Sequence, residues 1–315
     1  PTHHCAMAVG HHAGLFQKKQ EKKEPSEDLF QRAEENSEKI SQRMQREKTE
    51  TRKASQRESL ASEDQNRARA IQKYRALLAD KNRLDPATLE ASMLNLAHLT
   101  FEQCLAGYRD AMRSYDDAYR QYQLGYKSAE PDTLPRYNFQ AAREAYDAFL
   151  DAFPDSQYRA EVVYNLAYSY EEEGDLDRAV SLYDELALTS PTAAFAPEIF
   201  LRLGEHSFET NRFNKAIEYY EKVLALGDTP QYEKALFKIG WSRYAMDQFE
   251  EAEASFARVL TLHTKRTEDR QSDLYQESLE ILAKILSESG GATALEAFLK
   301  THKSPAYGLD LSVQL

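Results

Sequence analysis

At 315 residues the chain is long enough for two ordinary domains or for one extended repeat array. Its formal charge of −12, from 52 acidic and 40 basic residues, argues against a general nucleic-acid binder. Such a binder needs a basic face to release counterions from phosphate. No window approaches the ~18 consecutive apolar residues of a membrane-spanning helix, and no apolar signal region follows Pro1.

Helix-propagating residues (Ala, Leu, Glu, Gln, Lys and Arg) dominate, with only 11 glycines and 10 prolines. Nineteen tyrosines against one tryptophan imply many half-buried positions, where a ring packs and its hydroxyl reaches water. Cys5 and Cys104 are the only cysteines, so no disulfide framework and no CxxC zinc or redox motif exists. Cys104 lies in an apolar helical stretch and reads as a small core residue.

Residues 1–16 hold His3, His4, His11 and His12 among small residues. Histidines at short spacing can chelate a metal, but without a scaffold around them they read as a flexible tail, and no metal site is expected. Residues 17–67 are almost wholly Glu, Lys, Arg, Gln and Ser. Leu29, Phe30, Ile40, Met44 and Leu60 are isolated apolar points that keep no heptad. A solvated, partly helical arm or a disordered linker is the expectation.

Residues 68–136 read as a divergent repeat. Ala70–Leu78 resembles a second helix, and Leu94–Phe101 a first helix with Leu96-Ala97 in a small-residue slot. Tyr108, Tyr115, Tyr119, Tyr122 and Tyr126, spaced 7, 4, 3 and 4, mark one face of a long inserted helix from Leu99 to about Tyr126. Packing of that stripe on the repeats is the favoured reading, and a partner surface the other.

Residues 137–265 repeat themselves. Ala142, Ala179, Ala216 and Ala252 are separated by 37, 37 and 36 positions. An aromatic follows each by four: Tyr146, Tyr183, Tyr220 and Phe256. Twelve positions before the last three stand Ala167, Gly204 and Gly240. Small residues let paired helices approach, and the aromatic fills the groove beside them. Glu173-Gly174-Asp175, Thr210-Asn211-Arg212 and Met246-Asp247-Gln248 are the expected turns. Residues 266–315 imitate one more unit and end in a tail.

These residues resemble the tetratricopeptide repeat. Val163, Leu166, Ala167, Tyr170, Ala179, Tyr183 and Pro191 match throughout. Phe200, Leu203, Gly204, Ala216 and Tyr220, and Leu236, Ile239, Gly240, Ala252 and Phe256, match in part. The resemblance implies an all-α, right-handed superhelical solenoid of antiparallel helix pairs. Phe153-Pro154-Asp155-Ser156 and the stretch Ala235–Ser242 are similar to bacterial envelope-associated members, which implies a periplasmic or cell-envelope scaffold, with the cytoplasm as the alternative.

In that family the first helix of each unit lines a concave groove. Carried over, the partner-binding positions are Tyr164, Tyr168, Glu171 and Glu172, then Leu201, Glu205 and Phe208, then Phe237, Trp241 and Tyr244. An acidic, aromatic groove suits a protein or peptide with basic and apolar segments. Trp241 reads either as an anchor for a partner or as a ring packed between helices. GxxxxGK[ST], GxSxG and HExxH are absent, and His98, His206 and His263 stand apart. The expectation is a non-catalytic scaffold without a cofactor; the alternative is an assembly subunit using the convex face, the long helix or the charged arm.

Overall fold

The computed structural model describes residues 25–131, 133–267 and 269–315. The expected His-containing tail and Cys5 lie outside them. The described residues form α-helices and one 3₁₀ turn, without strands. Contacts divide the chain into Pro1–Asn66 and Arg67–Leu315. The described part of the first unit is helical throughout: it belongs to α1 (Pro25–Leu78), whose last turns lie in the second unit.

In the second unit, a 3₁₀ turn (Lys81–Arg83) leads to α2 (Pro86–Gln123). Asp85 caps α2 by accepting the Thr88 N–H at 3.0 Å, and Pro86 opens the first turn without losing an intrahelical bond. One unbroken helix thus covers both the expected first helix and the expected insert. It ends where Gly125 takes a positive φ of 74°. The tyrosine stripe is half-buried from Tyr108 through Tyr115 to Tyr119. Tyr108 stacks on Tyr137 at 3.7 Å between centroids, whereas Tyr122 and Tyr126 are exposed, Tyr126 to 79%.

Helix pairs follow: α3 (Gln140–Ala152), α4 (Arg159–Glu172), α5 (Leu176–Thr189), α6 (Ala196–Glu209), α7 (Phe213–Ala225), α8 (Tyr232–Tyr244) and α9 (Phe249–Arg266). The C-terminal helices are α10 (Asp273–Ser289), α11 (Ala292–Thr301) and α12 (Gly308–Gln314). Each packs mainly on its sequence neighbours, the arrangement of a solenoid. The turns inside three successive units close the same way. Gly174, Asn211 and Asp247 all take positive φ (85°, 57° and 59°), the left-handed conformation that ends a helix.

The repeated alanine and aromatic positions are the core. Ala142, Ala179, Ala216 and Ala252, with Tyr146, Tyr183, Tyr220 and Phe256, are buried. Burying one such large apolar side chain contributes about 1.5–3 kcal/mol. The two glycines show how close the helices come. A Cβ on Gly204 would lie 2.3 Å from the Tyr220 ring, and one on Gly240 would lie 3.0 Å from Phe256. At the C-terminal end, Tyr307 and Leu311 are buried, and the Tyr307 hydroxyl donates to the Ala257 carbonyl at 3.3 Å.

Candidate functional site

The first helices α4, α6 and α8 carry the expected groove positions, and charged or ring contacts join each to the next and α8 to α10. Glu171 on α4 meets Arg202 on α6 at 2.5 Å. Glu205 on α6 meets Lys234 on α8 at 2.7 Å. The Lys238 ammonium on α8 lies 5.6 Å from the Phe208 ring centroid on α6. Tyr244 on α8 receives Lys284 of α10, 5.5 Å from its centroid, and their hydrogen bond holds the ammonium above its ordinary pKa. At the N-terminal side His98 of α2 lies 3.6 Å from Glu161 of α4.

This ladder changes the expected electrostatics. Glu171 and Glu205 are paired within the chain rather than left for a partner. Arg202 sits between Glu171 and Glu198, 2.6 Å from the latter, and the Tyr183 hydroxyl donates to Glu171 at 2.8 Å. These two carboxylates hold the guanidinium charged, against the desolvation that opposes it. Arg202 was not among the expected site residues. Its i,i+4 relation to Glu198 is visible in the sequence, but its contact with Glu171, 31 positions away, needs the fold.

The next junction lacks this arrangement. Phe208 stands 37 positions after Glu171, and Tyr220 stands 37 after Tyr183. The Tyr220 hydroxyl is accordingly buried without a hydrogen-bond partner, and burial drives its pKa well above the usual phenol value.

Of the ten expected positions, Leu201 and Phe237 are buried and present little side chain. The other eight are partly exposed. Trp241 packs edge-on against Phe237, Tyr244 and Phe256, with centroids 5.8–6.3 Å apart. It belongs to an aromatic cluster along α8 while keeping part of its surface open. Burial, then the neighbouring Glu198 charge, pushes the Tyr164 hydroxyl up to about 12. Tyr168 is raised by burial and then by Glu172, which accepts its hydroxyl.

A cavity of about 630 Å³ opens where α2 and α3 meet the α4–α5 turn. The stacked Tyr108 and Tyr137 line it together with Arg136, Arg143, Glu171, Glu172 and Glu173. Glu173 is committed to structure. It accepts the Phe139 backbone N–H at 2.6 Å, and Arg143 lies 2.9 Å away in an ion pair whose angle falls outside a hydrogen bond. No cation pairs with Glu172 among the described residues. Among them, too, no cluster of His, Cys, Asp and Glu could hold a metal, and no helix is long and apolar enough to cross a membrane.

Family profiles agree with the repeat register. Profiles described as tetratricopeptide repeat match residues 137–197, 164–235 and 234–265. No curated protein matches the sequence. Similar solved structures include MamA, 17% identical with a TM-score of 0.40, covering 64% of this chain and 95% of that one. BtubC (BKLC) from P. vanneervenii is 15% identical with a TM-score of 0.46, covering 78% and 89%. A tetratricopeptide repeat protein from Parabacteroides merdae is 15% identical with a TM-score of 0.41, covering 65% and 70%. Matched by profile and built of stacked antiparallel helix pairs, residues 137–265 are tetratricopeptide repeats.

Proposed function

We propose that the chain is a non-catalytic scaffold that holds a partner protein or peptide along its first helices, with the partner's basic and apolar side chains making the contact. The observation that carries this reading is the cavity beside the stacked Tyr108 and Tyr137. A lysine or arginine side chain suits it, because tyrosine faces attract cations and Glu172 has no cationic partner among the described residues. The half-buried Tyr168, Phe208, Trp241 and Tyr244 extend this surface along the array. Placement in a bacterial periplasm or cell envelope, within a larger complex, is the reading that the unit length and the stretches Phe153–Ser156 and Ala235–Ser242 support.

The test is selection of peptides from a random displayed library on the whole chain and on a Tyr108→Ala/Glu172→Gln/Trp241→Ala variant with matched helical content, which alters both the cavity and the surface beyond it. Enrichment of Lys, Arg and apolar residues on the parent, lost on the variant, supports the groove. No enrichment, or the same peptides on both, overturns it.

A second reading rests on a separate observation. Tyr122, Leu124 and Tyr126 expose apolar surface together at the end of α2, as an assembly contact does. In that case Tyr122→Ser/Leu124→Ser/Tyr126→Ser abolishes complex formation while groove substitutions leave it intact.

A further inference from the structure

A helix of seven residues does not persist alone in water, so α12 exists only where it is docked. Tyr307 and Leu311 are wholly buried, and the Tyr307 hydroxyl donates to the Ala257 carbonyl of α9 at 3.3 Å. Asp310 accepts the Tyr275 hydroxyl of α10 and lies 3.9 Å from Arg270, which donates to that same hydroxyl at 2.9 Å. Gly308 lets the start of α12 approach α11, since a Cβ there would lie 3.0 Å from the Leu299 side chain. Helices α9, α10 and α11 thus make a formed seat that holds Tyr307, Asp310 and Leu311.

The connection that leads into this seat is strained. Lys303 and Ser304 take φ of 54° and 52° in succession. In that left-handed region the Cβ of a side chain crowds the following carbonyl, and glycine, asparagine and aspartate are the residues that tolerate it. Asn211 and Asp247, the other non-glycine residues with positive φ among those described, are of the tolerant type and stand singly at repeat turns. Ser304 also precedes Pro305, a position whose backbone favours the extended region.

We infer that the seat receives α12 from a second copy of the chain, by reciprocal exchange of residues 305–315. Exchange conserves every contact above, because seat and segment are the same in both copies. What changes is the connection. Once opened, Lys303 and Ser304 take the extended backbone that Pro305 favours, and each copy is relieved of two left-handed residues. A short hinge under strain promotes exchange for this reason. Charge selects the same occupant, since Arg270 stands at the seat and Asp310 is the acid that α12 brings to it. The closed single chain also leaves Leu309 and Val313, one turn apart on α12, 77% and 80% exposed. The inference does not depend on whether the first-helix surface binds a partner.

The first measurement uses the whole chain and a labelled peptide copying residues 304–315. A Tyr307→Ala/Leu311→Ala chain, checked for unchanged helical content, keeps the seat and lacks a competent occupant. It should bind the peptide about tenfold or more tightly than wild type, whose seat is already filled. A peptide carrying Asp310→Lys should bind this chain about tenfold more weakly, as loss of a charged hydrogen bond does. No binding to the emptied seat, or equal binding to both chains, overturns the inference.

The second measurement is mass by light scattering as concentration is raised. Wild type should dimerise, and the Tyr307→Ala/Leu311→Ala chain should stay monomeric. Lys303→Gly/Ser304→Gly should dimerise about tenfold or more weakly, because glycine accepts the left-handed backbone and the closed form is no longer strained. A wild type that stays monomeric, a dimer that the glycine pair leaves unchanged, or one that survives loss of Tyr307 and Leu311 overturns exchange.

Discussion

Glu171 and Arg202, 31 positions apart in sequence, meet at 2.5 Å and tie α4 to α6 across the seam between two units. Both side chains are about three-quarters covered, and the Tyr183 hydroxyl completes the carboxylate's coordination. Truncating the guanidinium leaves a partly buried carboxylate with one weak donor. Arg202→Met should therefore cost about 2 kcal/mol, the loss expected for a charged hydrogen bond in this setting. Adding Glu171→Gln should recover part of it, because the remaining partner then carries no charge. Urea denaturation of the two single variants and the double variant measures the coupling.

Gly204 and Gly240 make a graded pair. An alanine normally stabilises a helix interior by about 1 kcal/mol relative to glycine. At Gly204 the added carbon would sit 2.3 Å from the Tyr220 ring, which is wholly buried and has no room to retreat. Gly204→Ala should be destabilising by about 2 kcal/mol or more. Gly240→Ala, facing Phe256 at 3.0 Å, should be clearly milder. Thermal melts of both variants decide the order, and equal effects would refute the close-approach explanation.

The turns give a prediction of opposite sign. Asn211 and Asp247 hold positive φ where the equivalent residue one unit earlier is Gly174. A side chain in that conformation costs about 1 kcal/mol or more relative to glycine. Asp247→Gly should stabilise by about 0.5–1 kcal/mol and Asn211→Gly by less, because asparagine tolerates the left-handed region better. Gly174→Ala should destabilise. Denaturation midpoints of the three variants check this.

Buried phenols predict the alkaline limit. Burial, and then the Glu198 charge, raises Tyr164 from 10.0 to about 12, and burial raises Tyr183 and Tyr220 further. The folded state keeps protons that the unfolded chain releases near pH 10. Their stabilisation is therefore complete below about pH 10 and is lost as pH climbs from there through about 12. Tyrosinate absorbance and helical circular dichroism should change together in this window for the buried rings. Complete ionisation of these rings before the helices melt would contradict their burial.

The helix-pair register was legible because close packing leaves a mark at every turn. Ala142, Ala179, Ala216 and Ala252, with the aromatic four residues later, lie where the structure has its deepest core. Gly174, Asn211 and Asp247 announced the turns for a conformational reason. The groove was legible only in outline. Its positions follow from the register, but pairing such as Glu205 with Lys234 is a property of neighbouring helices, and no periodicity carries it. Leu201 and Phe237 share the register of the half-buried Tyr164 yet join the packed core, a difference set by neighbouring helices that the register does not carry. The unbroken α2 was hidden because an inserted helix and a repeat helix use the same 3.6-residue pattern. His263 stood out only as an isolated histidine, because its partners, Glu233 and the Asp269 carbonyl, come from other segments.

Because each helix pair packs mainly on the pairs beside it, the array should respond to tension as a string of separate links. Pulled from Arg67 and Leu315, the repeats should yield one at a time, not all together. Each step frees the 36 or 37 residues of one unit, which is roughly 120–130 Å of extended chain before the folded length is subtracted. Such a tether absorbs stretch by giving up one unit while its neighbours keep their shape, and it shortens again when the load is removed.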